Sequence, residues 1–347
     1  MRRVCCQVVL QEDLCCRAFH SRKLRLLISI QARVKLIQMD QRFSQQHIEE
    51  WRETGFVVIP ELFNSEEISP LLDDFATLYG DRGKGEGAGT EKNLKKGDEI
   101  GAVSSKQFMN FDQMPYPASP AVNLISIHPQ LIAFARALLD VDKVHCYQSH
   151  TWAKYTGEAD YDQPFHCDFG NHTLTVPSEA VSTRTVDFII YLSDVEDDLG
   201  ALHYVTKQDA ATVLGEGELI APPEKQLELK KFERSAAAPS GSLVAHSIDT
   251  LHRGTNLTRP DGYRFTMTVG YKASGNEMIG FHVWQFSPQR PWHLILNHAT
   301  PEQLEVLGIP APGNTFWTEQ TLRLTQERWP EWDMQPYREA CQEESHL

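Results

Sequence analysis

Three side chains in this 347-residue sequence have types and spacing suited to metal chemistry, and the first two are His166 and Asp168. They stand two positions apart in the segment 163–169, and alternate side chains of an extended segment point to the same side. They can therefore offer an imidazole nitrogen and a carboxylate oxygen to one ion, with Cys167 facing away. Because isolated His-x-Asp pairs are common by chance, the prediction needs a third ligand.

His252 is the preferred third ligand. It ends a β-type run and opens a turn containing Gly254 and Asn256, a position from which a side chain can project inward from a barrel rim. Three other histidines compete for the role, and His246 among them sits inside an apolar run without such a turn. The competitors are His172, His203 and His246.

Arg264 and Thr266 begin a later β-type run and predict an anion clamp. The guanidinium fork can bind a carboxylate, and Thr266, on the same face, can add a hydroxyl hydrogen bond. An arginine near a strand start more often pairs with a surface carboxylate such as Asp261, and only its order after His252 favours the clamp. Lys154 could assist an anion, although a solvated lysine is more typical. Two histidines, a carboxylate and a clamp suit iron(II) with an oxo-acid cosubstrate, since three coordination positions stay open.

Short stretches rich in β-branched and aromatic residues must position these groups. They are 145–155, 172–176, 184–192, 200–205, 242–245, 263–272 and 280–286. No regular helix separates them, so they predict an antiparallel sandwich or barrel with alternate residues inward. Helices are predicted around this β region, which makes the fold class mainly β with flanking helices. They cover 43–54, 64–79, 129–139, a segment capped by Thr300, and 318–328.

The first 38 residues differ from the rest of the chain, with eight Lys/Arg against two acidic residues in a protein whose net charge is −14. A basic, acid-poor leader predicts an organelle-targeting peptide, or an extension that is disordered or not native, with Met39 as the natural start. One domain is expected over 39–347. Its parts are a helical region 39–140 with a glycine-rich mobile loop or lid at 80–101, a β core 141–290 and a C-terminal helical cap 291–347.

Composition narrows the partners. The negative charge disfavours nucleic acid and anionic membrane surfaces, and no uninterrupted apolar run approaches the roughly 20 residues that cross a bilayer. Three scattered cysteines in the body, Cys146, Cys167 and Cys341, are typical of a reducing compartment and favour the cytoplasm. A small-molecule substrate is expected, and the oligomeric state is open.

The order of these motifs resembles the phytanoyl-CoA dioxygenase family of Fe(II)/2-oxoglutarate oxygenases over about residues 40–290. The residues that carry it are His166-x-Asp168, the run 200–205 (GALHYV), His252-x-Gly254 and Arg264. The resemblance implies a double-stranded β-helix (jelly-roll or cupin-like) core. It also implies iron on the two histidines and the aspartate, and the distal 2-oxoglutarate carboxylate on Arg264.

The resemblance further implies that 2-oxoglutarate and O2 become succinate and CO2 while a small molecule is hydroxylated at an unactivated C–H bond. Halogenating relatives lack the carboxylate ligand, so Asp168 favours hydroxylation. The chain departs from the family at 205–209 (VTKQD), where a Pro-Gly-Ser-His turn is frequent, and at Cys167, where a polar residue is common. Both departures leave the substrate open.

Two other functions stay open from the residues alone. One is a catalytically silent barrel that binds metal as a sensing module. The other is a zinc- or manganese-dependent hydrolase with the same ligands, since affinity trends do not by themselves select iron. Arg264 argues against the hydrolase, because hydrolysis needs no oxo-acid clamp.

Overall fold

The computed structural model describes residues 41–80, 111–156, 162–173, 176–177, 180–281 and 290–344. The chain divides into two units, residues 1–44 and 45–347, and every described strand and helix lies in the second unit. The predicted boundary after residue 38 lies outside the described residues and stays a prediction. So does nearly all of the predicted mobile loop 80–101, of which only residue 80 is described.

Two antiparallel sheets form the centre of the described part of the chain. Its strands are β1 Phe56–Ile59, β2 Phe111–Gln113, β3 Val144–Tyr155, β4 Thr185–Tyr191, β5 His203–Tyr204, β6 Arg234–Ser235, β7 Leu243–Ser247, β8 His252–Arg253 and β9 Tyr263–Ala273. The larger sheet has the order β1-β7-β4-β9-β3-β2, and the smaller has the order β6-β5-β8. The mainly β prediction is therefore confirmed.

Helices precede and follow strands β3 to β9 in sequence, and within the described residues three short ones lie between these strands. They are α1 Gln45–Thr54, α2 Ser65–Tyr79, α3 Pro120–Leu124, α4 Pro129–Leu139, α5 Phe169–His172, α6 Lys207–Leu214, α7 Gln226–Leu229, α8 His293–Leu296, α9 Pro301–Glu305, α10 Glu319–Arg328 and α11 Gln335–Glu344. Local sequence explains several starts. Asn64 forms a capping box with Glu67 before α2, and Thr300 forms one with Gln303 before α9.

Strand register decides which residues face the cavity between the sheets. Lys154 of β3 lies opposite Arg264 of β9, and Trp152 lies opposite Thr266. Because side chains alternate between the faces of a strand, these pairs form successive rows on one face of the larger sheet.

Several sequence predictions of elements need correction. The predicted strand at 172–176 is wrong at its start, because residues 169–172 form the short helix α5. The predicted strand at 280–286 begins with two non-strand residues, and its remainder lies outside the described residues. Helix α6 is not among the predicted helices. It occupies the departure from the family pattern at 205–209, where the Thr206 hydroxyl caps it by accepting the Asp209 N–H.

One helical stretch among the described residues, Pro120–Leu139, is long and apolar enough to span a membrane by length and composition. Because the sequence prediction considers only uninterrupted apolar runs, it does not identify this stretch. In the structure 67% of its most apolar window is buried inside the protein, and the stretch is divided into α3, a 3₁₀ turn and α4. Core helices meet the same length and hydropathy criteria, because one face must be buried against the sheet.

Candidate functional site

The structure brings His166, Asp168 and His252 together. Their potential ligand atoms all lie within 4.8 Å of one another. The Nε2 atom of His166 is 3.7 Å from Asp168 Oδ1, and that of His252 is 3.6 Å from Asp168 Oδ2. Two reciprocal backbone hydrogen bonds of 3.0 Å, between the N–H and carbonyl groups of His166 and His252, hold the two histidines side by side.

Both imidazoles have a defined tautomer. His166 Nδ1 lies 2.9 Å from the Pro164 carbonyl oxygen, and His252 Nδ1 lies 3.0 Å from the Thr250 carbonyl oxygen. Because a carbonyl only accepts, each Nδ1 carries the hydrogen and each Nε2 keeps its lone pair. This is the arrangement by which a backbone carbonyl orients a metal-binding histidine. The donor set therefore fits a divalent metal ion.

The charges at this cluster also suit a cation. Burial lowers the pKa of His252 to about 3, although the neighbouring Asp168 carboxylate opposes the shift. Burial by itself would raise the pKa of Asp168, but His252 and a hydrogen bond from His246 hold it well below its usual range. At neutral pH the cluster combines a neutral buried imidazole with a carboxylate, which are protonation states that bind metal.

The segment that bears His166 and Asp168 is fastened to neighbouring loops. The Gln163 side-chain oxygen accepts the Gly254 N–H at 2.8 Å, and that of Gln226 accepts the Phe165 N–H at 2.7 Å. A Cβ atom at Gly254 would stand 2.7 Å from the Gln163 oxygen, so a larger residue there would displace the Gln163 side chain. These bonds position the ligand segment.

Arg253, which follows His252, fastens the same segment from the other face of β8. The residue is 5% exposed, and its guanidinium bonds Glu233 through two nitrogens at 2.7 and 3.1 Å. A third nitrogen lies 3.1 Å from an Asp162 oxygen. The two consecutive residues of β8 thus point in opposite directions. His252 faces the cavity, and Arg253 bonds the residues that support it from outside.

Arg264 and Lys154 form a pair of cations in the wall of the same cavity. Both are buried, at 6% and 8% exposure, and they face each other across β9 and β3. Arg264 also donates a hydrogen bond to the Gly200 carbonyl. The expectation of a solvated Lys154 is wrong. Burial, with the nearby Arg264 adding to it, lowers the pKa of Lys154 to about 7.

Thr266 lies one row further along β9 and is also buried. It stands opposite Trp152 of β3 and Tyr191 of β4. One cavity of about 480 Å³ is lined by all five predicted site residues, which are His166, Asp168, His252, Arg264 and Thr266.

Strands β3 and β4 also carry a buried polar network that the sequence did not indicate. The Asp187 carboxylate is fully buried and accepts hydrogen bonds from Tyr147 at 2.8 Å and Gln148 at 2.7 Å. Gln148 in turn bonds His150 at 3.0 Å, and both line the cavity. A Cβ atom on Gly270, which lies between these side chains in the sheet, would stand 2.5 Å from Asp187. The network therefore requires glycine at position 270, and no local sequence motif predicts this requirement.

The three competing histidines, His172, His203 and His246, occupy different environments in the fold. His203 faces Asp197 and Glu233, at 3.3 Å from each. His172 lies in the cavity wall, outside the cluster of three ligands. His246 also lines the cavity and contacts Asp168, with 3.4 Å between its Nε2 and Oδ2.

Comparisons with known proteins agree with this architecture. The phytanoyl-CoA dioxygenase (PhyH) family model matches residues 51–259. No curated protein matches the chain in sequence.

Among solved structures, EctD from S. alaskensis with 2-oxoglutarate and 5-hydroxyectoine is similar at 18% identity and a TM-score of 0.52, over 74% of this chain and 84% of that chain. The same protein with bound Fe gives 19% identity and a TM-score of 0.51 over the same shares. The carbocyclase SnoK from nogalamycin biosynthesis gives 19% identity and a TM-score of 0.49, over 66% of this chain and 83% of that chain. At these identities the EctD likeness supports the fold, a jelly-roll with two antiparallel sheets.

The family match carries the function class, because members of this family use iron(II), 2-oxoglutarate and O2. The chain belongs to the phytanoyl-CoA dioxygenase family and is an Fe(II)/2-oxoglutarate-dependent dioxygenase.

Proposed function

We propose that this protein hydroxylates an unactivated C–H bond of a small molecule, with His166, Asp168 and His252 as the iron ligands. Arg264 receives the distal carboxylate of 2-oxoglutarate, and Thr266 adds a hydroxyl hydrogen bond. The observation that carries the proposal is the meeting of three ligand atoms within 4.8 Å in a cavity that Arg264 also lines.

His166, Asp168 and His252 would hold the iron, which when bound would activate O2, the oxidant of the C–H bond, at the expense of 2-oxoglutarate. The residues of the chain bind the metal ion and orient its ligands. The carbonyls of Pro164 and Thr250 keep the two Nε2 atoms turned toward the centre. Asp168 occupies the position that a halide ligand would need, which supports hydroxylation over halogenation.

The cation pair supports a dicarboxylate as cosubstrate. Two buried cations side by side repel each other in a medium of low dielectric constant, and a bound carboxylate relieves this repulsion. Arg264 offers a planar fork that matches a carboxylate, while Lys154 supplies a point charge. The residues of the next row, Trp152 and Thr266, also line the cavity.

An anaerobic titration of the full chain with Fe(II) and then 2-oxoglutarate tests the proposal. We expect a weak visible metal-to-ligand charge-transfer band when the oxo-acid binds to the iron. The band should disappear in His252→Ala and weaken in Arg264→Ala. Mass spectrometry of candidate small molecules gaining one oxygen, with matching succinate release, then tests hydroxylation itself.

Other outcomes of the titration and of activity assays point to different functions. Bound metal without any charge-transfer band would contradict the oxygenase site, and hydrolytic activity that survives removal of 2-oxoglutarate would favour the hydrolase. A band without succinate formation for any substrate would favour a silent metal-binding barrel.

A further inference from the structure

A third histidine, His246, contacts the proposed iron ligands from the larger sheet. It lies on β7, is 1% exposed and stands opposite Asp187 of β4. Its Nε2 is 3.4 Å from Asp168 Oδ2, and its ring centroid is 4.7 Å from that of His252. It therefore contacts the ligand cluster but is not one of the three residues whose ligand atoms lie within 4.8 Å of one another.

The partners of His246 define where its hydrogen lies. An ionised carboxylate only accepts hydrogen bonds, so Nε2 must carry the hydrogen that it donates to Asp168. In the neutral imidazole the other nitrogen, Nδ1, then accepts, and the Tyr204 hydroxyl lies 3.1 Å from it. Tyr204 is fully buried, and its ring stacks on Phe56 with 4.6 Å between centroids, which holds the hydroxyl in place.

This tautomer is the reverse of that in the two ligand histidines. His166 and His252 donate from Nδ1 to a carbonyl and present the Nε2 lone pair. His246 donates from Nε2 and turns its lone pair toward Tyr204, away from the cluster. An Nε2 that carries a hydrogen has no lone pair for a metal ion.

We propose that His246 is a positioning residue that orients the Asp168 carboxylate through this Nε2–H bond, and that the Tyr204 hydroxyl maintains the required tautomer. The inference rests on the proposed function, because it takes Asp168 as an iron ligand. Hydrogen-bond partners of metal-ligating groups typically change metal affinity by about 10- to 100-fold when they are removed.

The test is an anaerobic equilibrium titration of the full chain with Co(II), followed by visible absorption, which reads metal affinity without any turnover. We expect His246→Phe to weaken Co(II) binding about 10- to 100-fold. His246→Gln, whose amide N–H can still donate to Asp168, should stay within a few-fold of the parent. Tyr204→Phe should produce a smaller loss than His246→Phe, because the tautomer becomes less populated while the ring remains.

A double-mutant cycle separates positioning from direct ligation. In an Asp168→Ala background, His246→Phe should cause no further loss, since there is no carboxylate left to orient. A loss that persists in this background, together with equal damage from His246→Gln, would overturn the proposal and make His246 a ligand. Unchanged Co(II) affinity in His246→Phe, with the thermal unfolding midpoint showing a folded protein, would also overturn it.

Failure of the proposed function is distinguishable from failure of this inference. If His252→Ala binds Co(II) like the parent, the proposed ligand set is wrong whatever His246 does. If His252→Ala abolishes binding and the His246 variants have no effect, only the positioning role is lost. Should His246→Phe not fold, the His246→Gln and Tyr204→Phe pair, in parent and Asp168→Ala backgrounds, still gives the comparison.

Discussion

The two ends of the cavity are built by different kinds of interaction. At the ligand end, His166 and His252 each bond a carbonyl two residues earlier in the chain, which sets the tautomer locally. At the cation end, Lys154 and Arg264 are brought together by pairing of strands β3 and β9, which are far apart in sequence. The ligand end is held by hydrogen bonds to backbone carbonyls, whereas the cation end places like charges side by side.

This difference teaches which interactions cost stability. A hydrogen-bonded neutral imidazole is well accommodated in a buried site. Two buried cations are not, and the lowered pKa of Lys154 records the cost of keeping it charged. We therefore expect changes at the ligand end to remove metal binding, and changes at the cation end to weaken cosubstrate binding while favouring the folded state.

The largest effect should come from removing a ligand. His252→Ala should weaken Fe(II) binding by more than about 100-fold, which exceeds the usual effect of groups that only support a ligand. Equilibrium dialysis under anaerobic conditions measures this. His203→Ala is the matched control, because this histidine faces Glu233 and Asp197. An equal loss in both variants would contradict the assignment of His252.

Removing the guanidinium should have the next largest effect. Hydrogen bonds to charged groups are worth about 1.5–3 kcal/mol each, so Arg264→Ala should raise the 2-oxoglutarate Kd by about 100-fold. The charge-transfer band at fixed Fe(II) gives the Kd. 2-Oxobutyrate, which lacks the distal carboxylate, serves as the control ligand and should bind the parent and the variant alike. An equal loss for both ligands would mean that Arg264 does not bind that carboxylate.

Lys154→Met should have opposite effects on binding and on stability. We expect about a tenfold weaker 2-oxoglutarate complex, from loss of one charged contact, and a higher free energy of unfolding at pH 7, measured by urea denaturation. The reason is the pKa of Lys154, which is lowered from 10.5 to about 7 in the folded protein.

The pH dependence of stability is set by that shift. Between pH 7 and 10.5 the unfolded chain holds the lysine proton more tightly, so the contribution of this group to stability rises with pH, by up to about 1.4 kcal/mol per unit. That rise should be absent from Lys154→Met. The parent's affinity for 2-oxoglutarate should fall above pH 7, as Lys154 loses its charge. A variant that is less stable than the parent at both pH 7 and pH 9 would contradict the cost assigned to the cation pair.

The smallest effect should come from Thr266→Val, which removes one hydroxyl and keeps the shape. We expect the 2-oxoglutarate Kd to rise only a few-fold, in line with about 1 kcal/mol for one hydrogen bond. Thr268→Val is the matched control, because Thr268 is the next inward residue of β9 and its hydroxyl accepts from Trp152 at 3.0 Å. Equal changes in both variants would indicate a general effect on the wall of the cavity.

Much of the site was predictable because its signals are short in sequence. The alternation of His166 and Asp168, and the turn after His252, both act within a few residues. The same is true of the capping boxes at Asn64 and Thr300, where the side chain and its backbone partner are three residues apart.

The predictions that failed concern the burial and the tertiary contacts of individual residues. Lys154 was expected in solvent because an isolated lysine usually is, and nothing near it in sequence shows that β9 lies alongside. The preference for His252 over His246 stays a prediction, but the contact of His246 with Tyr204 could not be predicted, because it depends on two different sheets meeting. The predicted strand at 172 became a helical turn.

The amino-acid sequence by itself determined the candidate ligand types, their order along the chain, the mainly β class and the likeness to the dioxygenase family. Only the tertiary structure decided which histidine bonds Asp168 through a proton-bearing nitrogen, and which lysine lies buried beside Arg264. The physical reason is range. Alternation, caps and turns are set by contacts between residues close in sequence, whereas burial and charge pairing depend on the register of strands that only the complete fold brings together.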